Sequence, residues 1–220
     1  MHHDFYHKKL VIFDWDGTLF DSTGIIGHAL QQSCAAINQP IPSLKDAQKV
    51  IGLGFTEAIE VLVGPLSATQ TEVFMQSYRR HYFSGEEIVT LFEGITSLLD
   101  GLRTQNKLTA VATGKSRAGL NRVLQHAALK NRFDATGTAD ETASKPHPQM
   151  LFELLEELEV HADEAIMIGD TTYDVDMAHE AGMTAIGVTY GAHDADTLAS
   201  SQPAVLVHSV AELQQLLMRN

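Results

Sequence analysis

Hydrophobic and polar positions along this chain fall into two rhythms. Short apolar runs suited to buried strands stand at 11–13, 108–112, 165–168, 184–188 and 204–207, and 133–136 is expected to add another. Helical spacing fills the intervals at 93–105, 116–127, 147–159 and 173–181, with Gly182 a natural stop and Ser209 with Glu212 capping a last helix. Strands alternating with helices predict right-handed crossovers and a mostly parallel sheet.

Residues 19–84 break that alternation, because no strand is expected there. Helices are expected at 22–37, 44–51, 55–63 and 68–83, separated by Pro40, Pro42, Gly52, Gly54, Gly64 and Pro65. Asp21 or Ser22 is available to cap the first, and Thr69 with Glu72 has capping-box spacing for the last. The expectation is an α/β, Rossmann-like core with helices on both faces (1–19 and 85–220) and an inserted all-helical domain (20–84). The crossings near 19–21 and 84–87 are the expected hinges.

Composition narrows the partners. With 220 residues, 44% hydrophobic and 20% charged, the chain reads as an ordinary soluble globule. A formal charge of -13 gives no general attraction for nucleic acid or anionic membrane. Cys34 is the lone cysteine, which excludes an internal disulfide and suits a reducing compartment. Residues 22–44 carry no Asp, Glu, Lys or Arg, yet Gln31, Gln32, Asn38, Pro40 and Pro42 make a membrane helix a poor description. The apolar run beginning at Leu10 is cut by Asp14 and is too short for a signal peptide, so a cytoplasmic location is expected. His2, His3 and His7 read as a polar leader.

Candidate chemistry gathers at the expected strand ends. Asp14 and Asp16 flank Trp15 before the Gly17 turn, and the period of two puts both carboxylates on one face. Asp-Gly is also a common turn dipeptide, but Thr113 and Asp170 each follow another apolar strand, where parallel sheets bind ligands. Around them stand Ser116, Lys145 and Asp174. Clustered aspartates without His or Cys suit a hard cation that keeps its waters, Mg²⁺ rather than Zn²⁺. The Thr113 hydroxyl and the amides of Gly114 and Lys115, at the start of a helix, suit a phosphoryl oxygen.

Four motifs in order carry a resemblance: Asp14-Trp15-Asp16-Gly17-Thr18, Thr113-Gly114-Lys115, Lys145-Pro146-His147-Pro148 and Gly169-Asp170-Thr171-Thr172-Tyr173-Asp174. Together they resemble the haloacid dehalogenase superfamily of phosphohydrolases, in the branch similar to phosphoglycolate phosphatase with a small helical cap. The resemblance implies a Mg²⁺-dependent phosphatase acting on a small phosphorylated metabolite, as a monomer or homodimer. It makes Asp14 the nucleophile and Asp16 the acid and base. It assigns Thr113, Gly114 and Lys145 to the phosphoryl oxygens and Thr18 to the loop behind the nucleophile. Asp14, Asp16 through its carbonyl, Asp170 and Asp174 would hold the metal.

Gly54 and Phe55 become specificity candidates if 20–84 is the cap, though the glycines there also fit a plain helix-helix turn. A carbon-halogen hydrolase would not need Asp16 or the Asp170 and Asp174 pair. A sugar phosphomutase, a pyrophosphatase, a phosphonate hydrolase and a non-catalytic binding module are the alternatives on the same core.

Overall fold

The computed structural model describes residues 5–85, 90–126, 129 and 131–218. Its centre is a six-stranded parallel sheet in the order β3-β2-β1-β4-β5-β6. The strands are β1 (Leu10–Phe13), β2 (Leu108–Thr113), β3 (Ala135–Thr138), β4 (Ala165–Gly169), β5 (Thr184–Val188) and β6 (Val205–Val207). Strand order reverses between β1 and β4, and a crevice opens at such a switch point outside the carboxyl ends.

Side-chain alternation divides the sheet into two cores. Val11 and Phe13 face one layer and Leu10 and Ile12 the other. The first layer is closed by α5 (Ile95–Thr104), α6 (Arg117–His126) and α10 (Val210–Leu217), through Leu98, Leu120 and Leu213. The second is closed by α7 (Gln149–Glu157), α8 (Thr172–Glu180) and α9 (Ala195–Ser200), through Met150, Val175 and Leu198. Both faces are apolar because crossover helices cover both. A third cluster lies within α1 (Thr23–Ala36), α2 (Leu44–Gln48), α3 (Phe55–Val63) and α4 (Ala68–Gly85), around Leu30, Cys34, Ile59 and Phe74. Among the described residues, no helix is long and apolar enough to cross a membrane.

The chain enters and leaves these four helices along a short paired seam. Asp21 donates its N–H to the Thr90 carbonyl (3.0 Å), Phe92 donates to Leu19 (3.0 Å), and Phe20 bridges antiparallel to Leu91. Of the second expected crossing at 84–87, residues 86 and 87 lie outside the described residues.

Four local expectations are corrected. β3 lies two residues beyond 133–136, because Asp134 starts the ladder with its side chain: Oδ2 accepts the Thr109 N–H (2.8 Å), and Phe133 packs edge-on against Trp15. The N-terminal box of α4 is Ser67 with Gln70, not Thr69 with Glu72. The Ser67 hydroxyl accepts the Gln70 N–H (3.3 Å) and Gln70 Oε1 accepts the Ser67 N–H (3.1 Å). Ser22 stands at the N-cap of α1 but makes no capping bond, its hydroxyl being turned to Asp16 (2.6 Å). Helix α9, with Asp194 accepting the Thr197 N–H (3.0 Å), was not expected at all.

Ile12 is fully buried on the central strand, whereas Ile41 is 62% exposed. Ile12→Ala should therefore cost about 2–5 kcal/mol in denaturant unfolding, and Ile41→Ala less than about 0.5 kcal/mol. A smaller loss at Ile12 than at Ile41 would contradict this account of the core.

Candidate active site

The end of β1 delivers the first functional side chain. The Asp14 N–H continues the ladder by donating to the Ile168 carbonyl (2.9 Å), which fixes its carboxylate beside the end of β4. Lys145 reaches the same place from the loop before α7. Its Nζ donates to Asp14 Oδ1 (2.7 Å) and Asp174 Oδ1 (2.6 Å), and all three residues are buried. Burial acts to lower the Lys145 pKa, but Asp14 and Asp174 outweigh it and hold the ammonium charged well above its ordinary range. Burial likewise pushes Asp14 well above the carboxylate range, opposed by Lys145 and reinforced by Asp174 and Asp170.

Asp170, directly after β4, is held from two sides. Thr18 Oγ1 donates to its Oδ1 (2.8 Å) and the Ala192 N–H to its Oδ2 (2.7 Å). Burial, and then the charge of Asp174, still raise its pKa to about 7. Gly17, at φ +81°, turns the loop after Asp16 so closely that a Cβ there would collide with the Asp170 carboxylate. Asp174 opens α8 in a capping box, its Oδ2 accepting the Thr171 hydroxyl (2.7 Å) and N–H (3.1 Å).

These three carboxylates fit a cation. Ligand oxygens of Asp14, Asp170 and Asp174 lie within 4.8 Å of one another, and all three are buried. Asp14 Oδ2 is buried with no hydrogen-bond partner, an unsatisfied valence in an oxygen-only donor set.

Asp16 is held separately. Its Oδ2 pairs with Lys115 Nζ (2.9 Å) and its Oδ1 accepts the Ser22 hydroxyl (2.6 Å). Lys115 also donates to the Tyr82 hydroxyl (3.1 Å) and sits 5.0 Å from that ring's centroid. Burial is the largest single influence and opposes its charge, but Asp16 together with Tyr82 and Tyr78 outweighs it and raises the pKa. The sequence alone points only to the amide of Lys115. Its side chain, with Ser22, Thr171 and Tyr82, was missed; the adjacent Thr-Gly motif is the one signal that pointed to Lys115.

Thr113 ends β2, and its hydroxyl accepts the Lys115 N–H (3.2 Å). Ser116 serves α6, accepting the Gly119 N–H (3.2 Å). Asp14, Asp16, Thr113, Gly114 and Lys115 all line one cavity of about 560 Å³ that runs up between α1, α3 and α4. Phe55 is on its wall. Gly54 belongs to the seam below, donating its N–H to Ser144 Oγ (2.7 Å). The Lys49 carbonyl accepts the Tyr173 hydroxyl (3.0 Å) in the same seam and lies 3.2 Å from His193 Nε2.

Known proteins are similar to this chain in sequence and fold. Residues 11–188 match the model of the haloacid dehalogenase-like hydrolases. A probable phosphatase, IndB, from Dickeya dadantii (strain 3937) is 34% identical over 94% of this chain and 92% of its own. A phosphoglycolate phosphatase from Vibrio parahaemolyticus serotype O3:K6 (strain RIMD 2210633) is 29% identical over 94% and 95%. The crystal structure of a predicted phosphatase from Clostridium acetobutylicum superposes with a TM-score of 0.83 at 29% identity, covering 94% of this chain and 97% of that one. With matches that run nearly from end to end and an aspartate cluster at the switch point, the chain belongs to the haloacid dehalogenase-like hydrolase family.

Proposed function

We propose that this phosphatase hydrolyses a small phosphomonoester in two steps through an aspartyl-phosphate on Asp14, with Mg²⁺ as its ion. The observation that carries the reading is Asp14 itself. It is buried at the floor of the cavity, with one oxygen fixed by Lys145 and the other unsatisfied beside Asp170 and Asp174.

In the first step an Asp14 carboxylate oxygen bonds to phosphorus as the ester P–O bond breaks, and Asp16 gives its proton to the departing alkoxide. In the second, Asp16 takes a proton from water, whose oxygen bonds to phosphorus and releases Asp14 and inorganic phosphate. Lys145, the Thr113 hydroxyl and the Gly114 amide hold phosphoryl oxygens. The Asp14, Asp170 and Asp174 carboxylates and the Asp16 carbonyl would hold Mg²⁺, which when bound supplies positive charge against their repulsion and against the phosphoryl group.

Lys115 and Ser22 hold the Asp16 carboxyl group in place beside Asp14.

Residues 20–84 act in this reading as a cap that excludes water and reads the leaving group, and 1–19 with 85–220 as the catalytic core. Described residues of one chain line the cavity, and the reading is compatible with a monomer or a homodimer. The lone Cys34 and the acidic balance support work in the cytoplasm on a soluble metabolite rather than on nucleic acid or membrane. Phosphoglycolate is the first substrate to try, on the strength of the Vibrio relative.

Asp14→Asn should bring Mg²⁺-dependent phosphate release to background while thermal unfolding stays cooperative; release at the wild-type rate would remove Asp14 as nucleophile. Asp16→Ala should cost about 10²–10⁴-fold on alkyl phosphates and much less on p-nitrophenyl phosphate, and equal losses on both would count against the acid role. A third expectation concerns pH without metal. From the ordinary carboxylate range up to about 7, the folded chain keeps on Asp170 a proton that the unfolded chain has lost, so its stability falls as pH rises through that window. Melting temperatures in EDTA should show this decline, with a smaller slope in Asp170→Asn and after Mg²⁺ is added. A pH profile unchanged by both would contradict the electrostatic account.

A further inference from the structure

We propose that the alcohol part of the substrate carries a flat aromatic body, which packs against the aromatic side chains of the helical layer. This rests on the phosphatase reading of the site below it. The cavity that begins at Asp14 and Asp16 has about 560 Å³ of room, within the range of roughly 300–1,000 Å³ typical of clefts for drug-sized ligands. A two-carbon acid phosphate would leave much of that space to water against apolar walls.

The walls are made for a ring. Tyr78 and Tyr82 lie nearly parallel, 12° apart with centroids at 5.7 Å, and Phe55 meets Tyr78 edge-on at 5.1 Å. Ile26, Leu30 and Met75 belong to the same apolar lining. Burial keeps the Tyr78 phenol neutral by raising its pKa. Rings in such walls add offset and edge-to-face contacts to the area they remove from water.

Three cations also line the wall. Lys115 is paired with Asp16, Arg122 lies over the Phe83 ring (4.2 Å), and Arg79 is exposed. The acidic side chains on the lining are Asp14 and Asp16, both at the floor. The carboxylates of the lining are therefore at the phosphoryl end, and its aromatic side chains stand above them.

The test compares 2-phenylethyl phosphate with ethyl phosphate and phosphoglycolate, all esters of alkoxide leaving groups, using the whole protein with Mg²⁺. The phenylethyl ester should show a kcat/KM at least about tenfold higher, and Tyr78→Leu should narrow the ratio by raising its KM. Equal or higher values for ethyl phosphate or phosphoglycolate overturn the aromatic assignment while leaving the phosphatase reading intact. Should no ester turn over, that reading fails, and calorimetric titration of the Asp14→Asn protein still decides the pocket. Binding of 2-phenylethyl phosphate about tenfold tighter than ethyl phosphate supports it, and equal affinity overturns it.

Discussion

The Lys145 ammonium, wedged between Asp14 and Asp174, is the interaction on which the site depends. Three carboxylates brought together out of water repel one another, and each loses hydration that a folded chain must replace. A single buried cation answers two of them at 2.7 and 2.6 Å and positions both. Lys145 comes from the loop before α7, Asp174 from the first turn of α8, and Asp14 from the end of β1, so the pair of contacts ties three segments at the switch point. Removing the lysine would leave buried charges uncompensated, a far larger change than losing one hydrogen bond.

Every other polar group around this centre is also committed. Thr18 and the Ala192 amide hold Asp170, Thr171 holds Asp174, and Ser22 with Lys115 holds Asp16. The exception is one oxygen of Asp14, which faces its neighbours unsatisfied. A site so constrained leaves a single carboxylate oxygen open, that of Asp14. It also sets two lysines apart, one between Asp14 and Asp174 and the other beside Asp16.

Much of this was legible in the chain because the chemistry follows the strands. An apolar run that ends in Asp14, Thr113 or Asp170 announces both a buried strand and its carboxyl end, and parallel topology brings such ends together. Lys145 was legible only through its motif, since 131 residues separate it from Asp14 and no local pattern couples them. The pairing of Asp16 with Lys115 was hidden for the same reason. Local errors had local causes: Ser67-Gln70 and Thr69-Glu72 have the same spacing, so periodicity cannot choose between them, and Asp134 stands in for a strand carbonyl with its side chain. Helix α9 is six residues long, shorter than a periodic signal needs.

Gly114 illustrates how two demands can fall on one position. Its place after Thr113 suits an anion, but a Cβ there would also collide with the carbonyl oxygens of Gly52 and Leu53 in the turn before α3. The residue is thus fixed by the seam between sheet and helices independently of any ligand. A library of substitutions at 114 would report first on how closely those two layers fit, and tolerance there would measure the clearance between them rather than the strength of a phosphate contact.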